Sequence, residues 1–194
     1  SANAPALKQR IGVVFDTCPF LATMRVREAG QLGEAAYRRW DAQRFAGLCE
    51  RFGLDPKKRV RGLSRGMGMK LQLAFALAHS PDVLVLDEAT AGLDPMARDE
   101  VLDILRGFMA DEGRSILVAT HITTDLEKIA DVVACIDDGR ILFALPKEAI
   151  CDEAAIAHLR AAEVEALVAA ELPDRDGFRV VRRPMGTDVL MPDR

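Results

Sequence analysis

The sequence predicts an α/β domain built on a parallel sheet, followed by a small α+β appendage. Three observations carry this reading. Residues 11–15, 83–86 and 115–119 are short apolar runs of strand length. Longer stretches with apolar residues at helical spacing lie between them, and strands alternating with helices build a layered α/β domain. Beyond Pro146 the composition turns Ala- and Glu-rich, which marks a second region.

The elements follow in order. Residues 11–15 read Ile-Gly-Val-Val-Phe, a short buried strand, and Asp16, Thr17 and Pro19 mark the loop after it. Residues 26–52 are charged and Ala-rich with helical spacing; Leu48 and Phe52 are one turn apart, and Gly53 offers a C-cap. Asp55-Pro56 and a basic stretch form a linker. Residues 66–78 form a further helical run with Met67, Leu71, Ala74, Phe75 and Ala78 on one face, stopped by Ser80-Pro81. Residues 83–86 are a continuous apolar run of the kind found in parallel strands covered on both faces. Asp94-Pro95 supplies an N-cap and a proline at the first helical position. Val101, Leu102, Leu105, Phe108 and Met109 make that helix's buried stripe. Residues 115–119 form another buried strand, 124–130 begin a helix, and 132–136 form a strand that Asp138-Gly139 turns into 141–143 as a hairpin. In the appendage, 152–171 is predicted helical, and 178–181 and 188–191 are predicted strands.

A length of 194 residues suits one domain with an appendage, and 49% hydrophobic residues suffice for a sizeable core. The net charge of −4, from 26 basic and 30 acidic residues, argues against a dedicated nucleic-acid binder. Lys57, Lys58, Arg59, Arg61 and Arg65 do gather, but a solvated loop explains them. Cys18, Cys49, Cys135 and Cys151 form no CxxC pair, fit no zinc site and suit a reducing cytoplasm. No apolar run is long enough to cross a bilayer, and no signal segment opens the chain, so service to a membrane requires another chain.

Three segments carry chemistry. The run 83–94 reads Val-Leu-Val-Leu-Asp-Glu-Ala-Thr-Ala-Gly-Leu-Asp. It ends a buried strand in two adjacent acids, where open α/β sheets bind ligands. One carboxylate can hold Mg²⁺ through water, and the next can orient or deprotonate an attacking water. The plain alternative is an N-cap or a loop ion pair; Gly92, Leu93 and Asp94 shift the balance toward function. The second segment, Leu63-Ser64-Arg65-Gly66-Met67, opens a helix with a hydroxyl and free N–H groups, which suits an anion. An ordinary capped helix is the alternative. The third, Val118-Ala119-Thr120-His121, places a histidine just past a strand, where a lone histidine is usually a structural hydrogen-bonder.

Ser64 lies 23 residues before Asp87, and His121 lies 33 after Glu88. This order and spacing resemble the ATP-binding cassette (ABC) family of transporter ATPases, over about residues 11–143. The resemblance implies a P-loop NTPase-type core with a helical subdomain. It also implies ATP and Mg²⁺ as ligands, with Asp87 toward Mg²⁺, Glu88 as catalytic base and His121 on the γ-phosphate. Ser64, Arg65, Gly66 and Met67 are similar to the family's signature, which meets ATP held by the opposite subunit. Gly92, Leu93 and Asp94 match its D-loop. Asp16 stands where the Q-loop glutamine is usual, and Arg65 and Met67 stand where glycine and glutamine are usual. A basic residue followed by Gly-Met, together with a C-terminal appendage, looks like exporter-type cassettes that pair with a separate permease chain. The expected domains are 1–145, with a helical subdomain at about 22–80 and the acidic-strand-to-histidine region at 81–145, and 146–194.

No G-x-x-x-x-G-K-[ST] occurs. The resemblance therefore implies the C-terminal part of such an ATPase, beginning after its phosphate loop and a poor ATP binder alone. Its expected partners are a second cassette and an integral-membrane permease, at the cytoplasmic membrane face. The competing readings are a non-transport cassette acting on DNA or the ribosome, and a non-enzymatic assembly module. In the family one more strand lies between those matching 83–86 and 115–119. Removing it would leave a gap of ~9.6 Å, twice the normal spacing of ~4.8 Å. The two strands are expected to pair directly, or a segment of another copy to enter by strand exchange.

Overall fold

The run at 11–15 forms strand β1 (Ile11–Val14), entered from a short helix α1 (Ala4–Lys8). The computed structural model describes residues 4–159, 179–183 and 186–192. The chain divides into two compact units, residues 1–125 and 126–194, and the composition change at Pro146 lies inside the second.

In the first unit, the helical stretch 26–52 is two helices, α2 (Val26–Ala36) and α3 (Ala42–Arg51). Each start is made by a carboxylate. Glu28 Oε2 accepts from the Arg25 N–H at 2.8 Å, and Asp41 Oδ1 accepts from the Arg44 N–H at 2.8 Å. Gly53 follows α3 at φ 65°, the left-handed C-terminal position expected of it. A 3₁₀ turn, Val60–Gly62, leads to α4 (Arg65–Ala78), whose N-cap Ser64 Oγ accepts from the Met67 N–H at 3.2 Å.

Helix α4 is not the one-sided helix that its pattern predicts. Met69, Leu71, Leu73, Ala74, Ala76, Leu77 and Ala78 are all buried, whereas Met67 and Phe75 are half-buried. The reason is position: α4 packs on β1 on one side and on α2 and α3 on the other. Contact with β1 is close enough to require Gly12. A Cβ there would lie 2.7 Å from Leu84 Cδ2 and 3.2 Å from Ala76 Cβ. On the outer side, aromatic rings join the helices. Trp40 sits 5.3 Å from Phe45 and 5.2 Å from Phe75, and Tyr37 stacks on His79 at 3.9 Å.

Strands β2 (Val83–Asp87) and β3 (Ser115–Ala119) flank helix α5 (Pro95–Met109) in the chain, and the sheet order is β1-β2-β3, all parallel. Asp94 caps α5 by accepting from the Ala97 N–H at 3.0 Å, with Pro95 at its first position. Val14, Leu84 and Leu86 are buried on one face of the sheet. The opposite face is open: Val13, on the register row that joins it to Val85 and Leu117, is 39% exposed, and Leu117 is 64% exposed. Residues 115–119 are therefore an edge strand, against the expectation of a buried one. A β3 paired on one side among the described residues has less to bury it.

The expected gap between β2 and β3 is closed by direct pairing. Val83 to Asp87 register against Ser115 to Ala119. Two further bonds extend the tie, from Ser115 N–H to Asp82 O at 3.0 Å and from Glu88 N–H to Ala119 O at 2.9 Å. The unpaired slot that motivated strand exchange is absent from this sheet.

Helix α6 (Thr123–Ile129) leads out of the first unit's last residues. In the second unit, β4 (Val132–Asp137) and β5 (Arg140–Pro146) form the expected hairpin, with Asp138 and Gly139 at φ 44° and 73° in the turn. Helix α7 (Lys147–Glu153) precedes a three-stranded antiparallel sheet of β6 (Ala154–Leu159), β7 (Arg179–Arg183) and β8 (Gly186–Pro192), in the order β6-β8-β7. The appendage is α+β, but in the described part of the helix expected at 152–171 only Asp152 and Glu153 are helical, as the end of α7, and 154–159 form β6. Residues 154–159 pair with β8, and that tertiary pairing overrides alanine's high helix propensity. Residues 160–171 and Phe178 lie outside the described residues.

Candidate functional site

Parallel strands bring their C-terminal ends to one edge of the sheet. Asp16 follows β1, Asp87 ends β2 with Glu88 behind it, and Thr120 and His121 follow β3. Asp87 is exposed at that edge. Glu88 leaves β2 at φ 48°, a left-handed conformation that costs a non-glycine residue about 1–2 kcal/mol. The turn sends its side chain toward the end of β3. Glu88 Oε1 lies 2.8 Å from His121 Nδ1 and accepts from the His121 N–H at 3.2 Å, and Glu88 Oε2 is reached by the Thr120 hydroxyl at 3.4 Å. His121 is 75% exposed. A carboxylate and an imidazole thus share an open mouth, where one can take a proton from water and the other can face an anion. With Nδ1–H donating to Glu88, a protonated ring still offers Nε2–H outward.

The Ser64–Met67 segment lies beside the 91–94 loop. A Cβ on Gly66 would meet Leu93 Cδ2 at 3.5 Å. Arg65 joins three segments. Its Nε donates to the Ala91 carbonyl at 2.9 Å, its Nη2 pairs with Asp16, and its side chain covers Gly92. Gly92 has φ 69°, and a Cβ there would meet Arg65 Nε at 3.2 Å, so both conformation and space call for glycine. Met67 Sδ accepts weakly from Lys58 Nζ at 3.8 Å. Among the described residues, no hydrogen bond links Ser64 to Glu88 or His121. The structure thus gathers these residues into two constellations: Glu88 with His121, and Arg65 with Asp16, Ala91 and Gly92.

Two groups that the reading missed hold these loops. Gln72, 3% exposed on α4, clamps the backbone where β1 ends: its Oε1 accepts from the Phe15 N–H at 2.9 Å and its Nε2 donates to Phe15 O at 3.1 Å. Asp125 is buried and pairs with Arg98 at 2.6 Å and with the Thr90 hydroxyl. A polar residue inside an apolar helical stripe is the only signal the sequence offers for Gln72; Asp125 offers none, because its partners lie 27 and 35 residues away.

The family described as ABC transporter matches residues 1–91. Over the matched residues the chain is similar to ABC transporter ATPases. Energy-coupling factor transporter ATP-binding protein EcfA2 of Symbiobacterium thermophilum is 42% identical over 114 residues, covering 57% of this chain and 38% of that protein. Nod factor export ATP-binding protein I of Burkholderia orbicola is 46% identical over 149 residues, covering 72% of this chain and 47% of that protein. A solved ATP-binding subunit of an ABC transporter shares the fold at TM-score 0.70 and 24% identity, covering 78% of this chain and 65% of that one. The chain thus spans less than half the length of these two curated relatives.

Proposed function

We propose that this cassette belongs to the ATP-hydrolysing subunit of an ABC exporter and powers a separate permease from the cytoplasmic membrane face. The observation that carries the reading is the meeting of Glu88 and His121 at 2.8 Å, at the ends of two parallel strands. Glu88 acts as the base that takes the proton of the attacking water, and His121 contacts the γ-phosphate. Ser64, Arg65, Gly66 and Met67 face the nucleotide of a second cassette, with Gly92, Leu93 and Asp94 beside them, so the working unit is a head-to-tail pair. Asp16 occupies the Q-loop position. Residues 1–145 serve as the cassette and 146–194 as its appendage. The 194 residues contain no G-x-x-x-x-G-K-[ST], so hydrolysis is proposed of the full-length subunit, and these residues alone bind ATP poorly.

The residues present fit Mg²⁺. Among the described residues no cluster of three or more His, Cys, Asp or Glu could hold a metal alone. An exposed Asp87 suits an ion held by one carboxylate, water and substrate phosphates. Bound there, Mg²⁺ would neutralise phosphate charge.

In the full-length subunit with its permease, Glu88→Gln is expected to lower turnover by about 10² to 10⁴ while ATP binding persists. An unchanged kcat would remove Glu88 as the base. The paired arrangement is tested by mixing a Ser64→Arg subunit with a Glu88→Gln subunit. One composite site then collects both lesions and the other none, so activity returns. A mixture as inactive as either parent speaks against the pair.

A further inference from the structure

We propose that Asp125 is a positioning residue that locks the loop carrying Glu88 to the loop carrying His121. Both of its carboxylate oxygens are used. The Thr90 hydroxyl, two residues past Glu88, donates to Oδ2, and Arg98 Nε on α5 donates to Oδ1 at 2.6 Å. Arg98 Nη2 also donates to Thr124 Oγ1 at 2.7 Å. Asp125 is 1% exposed and Thr90 6%. A carboxylate so deeply buried is tolerated only when paired and hydrogen-bonded, and here one guanidinium and one hydroxyl do this.

Three segments therefore meet on one side chain: the 88–91 loop, the first turns of α5, and residues 121–125. The β2–β3 register ends at Asp87 opposite Ala119, so the clamp continues the tie past the end of the sheet. The Asp125 N–H donates to Ile122 O at 3.1 Å, which stiffens the turn between Asp125 and His121. Movement of Asp125 is thus passed to the imidazole. Thr90 and Asp125 sit behind the site, buried, while Glu88 and His121 face its open side.

The inference rests on the roles proposed for Glu88 and His121, so its test reads two quantities. In the full-length protein, Thr90→Val and Asp125→Asn are expected to lower kcat for ATP hydrolysis about tenfold or more, with KM for ATP within about twofold. Thr90→Ser, which keeps the hydroxyl, is expected to retain activity. The second readout needs no turnover. The His121 amide donates to Glu88 Oε1, so its hydrogen exchange reports the tie directly. It should quicken about tenfold or more in Thr90→Val and stay unchanged in Thr90→Ser. If Glu88→Gln and His121→Ala leave hydrolysis intact, the proposed function fails, while His121 exchange still decides the clamp. If Glu88→Gln abolishes hydrolysis but a folded Thr90→Val keeps its kcat, the positioning role is overturned. Should Asp125→Asn not fold, the Thr90 pair of variants decides alone.

Discussion

The loop edge of the sheet and the helical layer formed by α2, α3 and α4 use the same chemistry to opposite ends. In the helical layer, side chains are buried against one another and polar groups are spent on backbone, as Gln72 is on Phe15. At the loop edge, Asp87 and His121 are exposed, and Glu88 is held in a left-handed conformation with its carboxylate toward His121. The helical layer is built for stability. The edge gives some stability up to hold reactive groups in place, which is how strain at functional sites persists. The two regions should therefore respond differently to substitution.

The largest effect on folding is expected in the helical layer. Leu71 on α4 is fully buried, and Leu71→Ala should lower the unfolding free energy by about 2–5 kcal/mol in a denaturant titration. A loss below about 1 kcal/mol would mean that α4 is not packed on both sides.

Glu88→Gly should abolish hydrolysis and yet leave the unfolding free energy within about 1 kcal/mol. Relief of the left-handed backbone, roughly 1–2 kcal/mol, is opposed by the freer unfolded chain of a glycine, roughly 0.5–1 kcal/mol. A loss above about 2 kcal/mol would make Glu88 a structural residue and dissolve the contrast.

The smallest effect is a pH dependence centred on His79. Its ring is buried against Tyr37 with Nε2 3.2 Å from the Ile11 carbonyl, and burial holds its pKa below the ordinary 6.5. The unfolded state then binds the proton more readily than the folded one. The stability held by the neutral ring is fully present above about pH 6.5 and is lost as pH falls toward the lowered folded value. Unfolding midpoints measured from pH 7.5 to 5 should decline, and His79→Gln should remove part of that slope. An identical slope in the variant would show that other groups carry it.

Much of the domain is legible in the sequence because it depends on local signals. Ser64, Gly53 and the Asp94-Pro95 pair end or start helices through their own backbone chemistry, and Asp138-Gly139 makes its turn in the same way. The acids at the end of the 83–86 run stand at the sheet edge because a strand that ends there has nowhere else to place them. The misreadings fall where a distant partner decides. Residues 154–159 are Ala-rich enough for a helix, but β8 supplies their backbone partners. A pattern of one buried stripe on α4 did not reveal that the helix is covered on two sides.

What the sequence alone determined is the identity and order of the chemical groups: a serine-capped helix, paired acids after a strand, and a histidine after the next strand. Those follow from residue type and short spacing, which local hydrogen bonds and strand periodicity translate into structure. What only the tertiary structure decided is which groups meet. The direct β2–β3 pairing that sets Glu88 against His121, the Arg65 bridge to Asp16, and the burial of Asp125 between Thr90 and Arg98 all join residues tens of positions apart. Contacts of that kind depend on packing of the whole domain, and no local pattern encodes them.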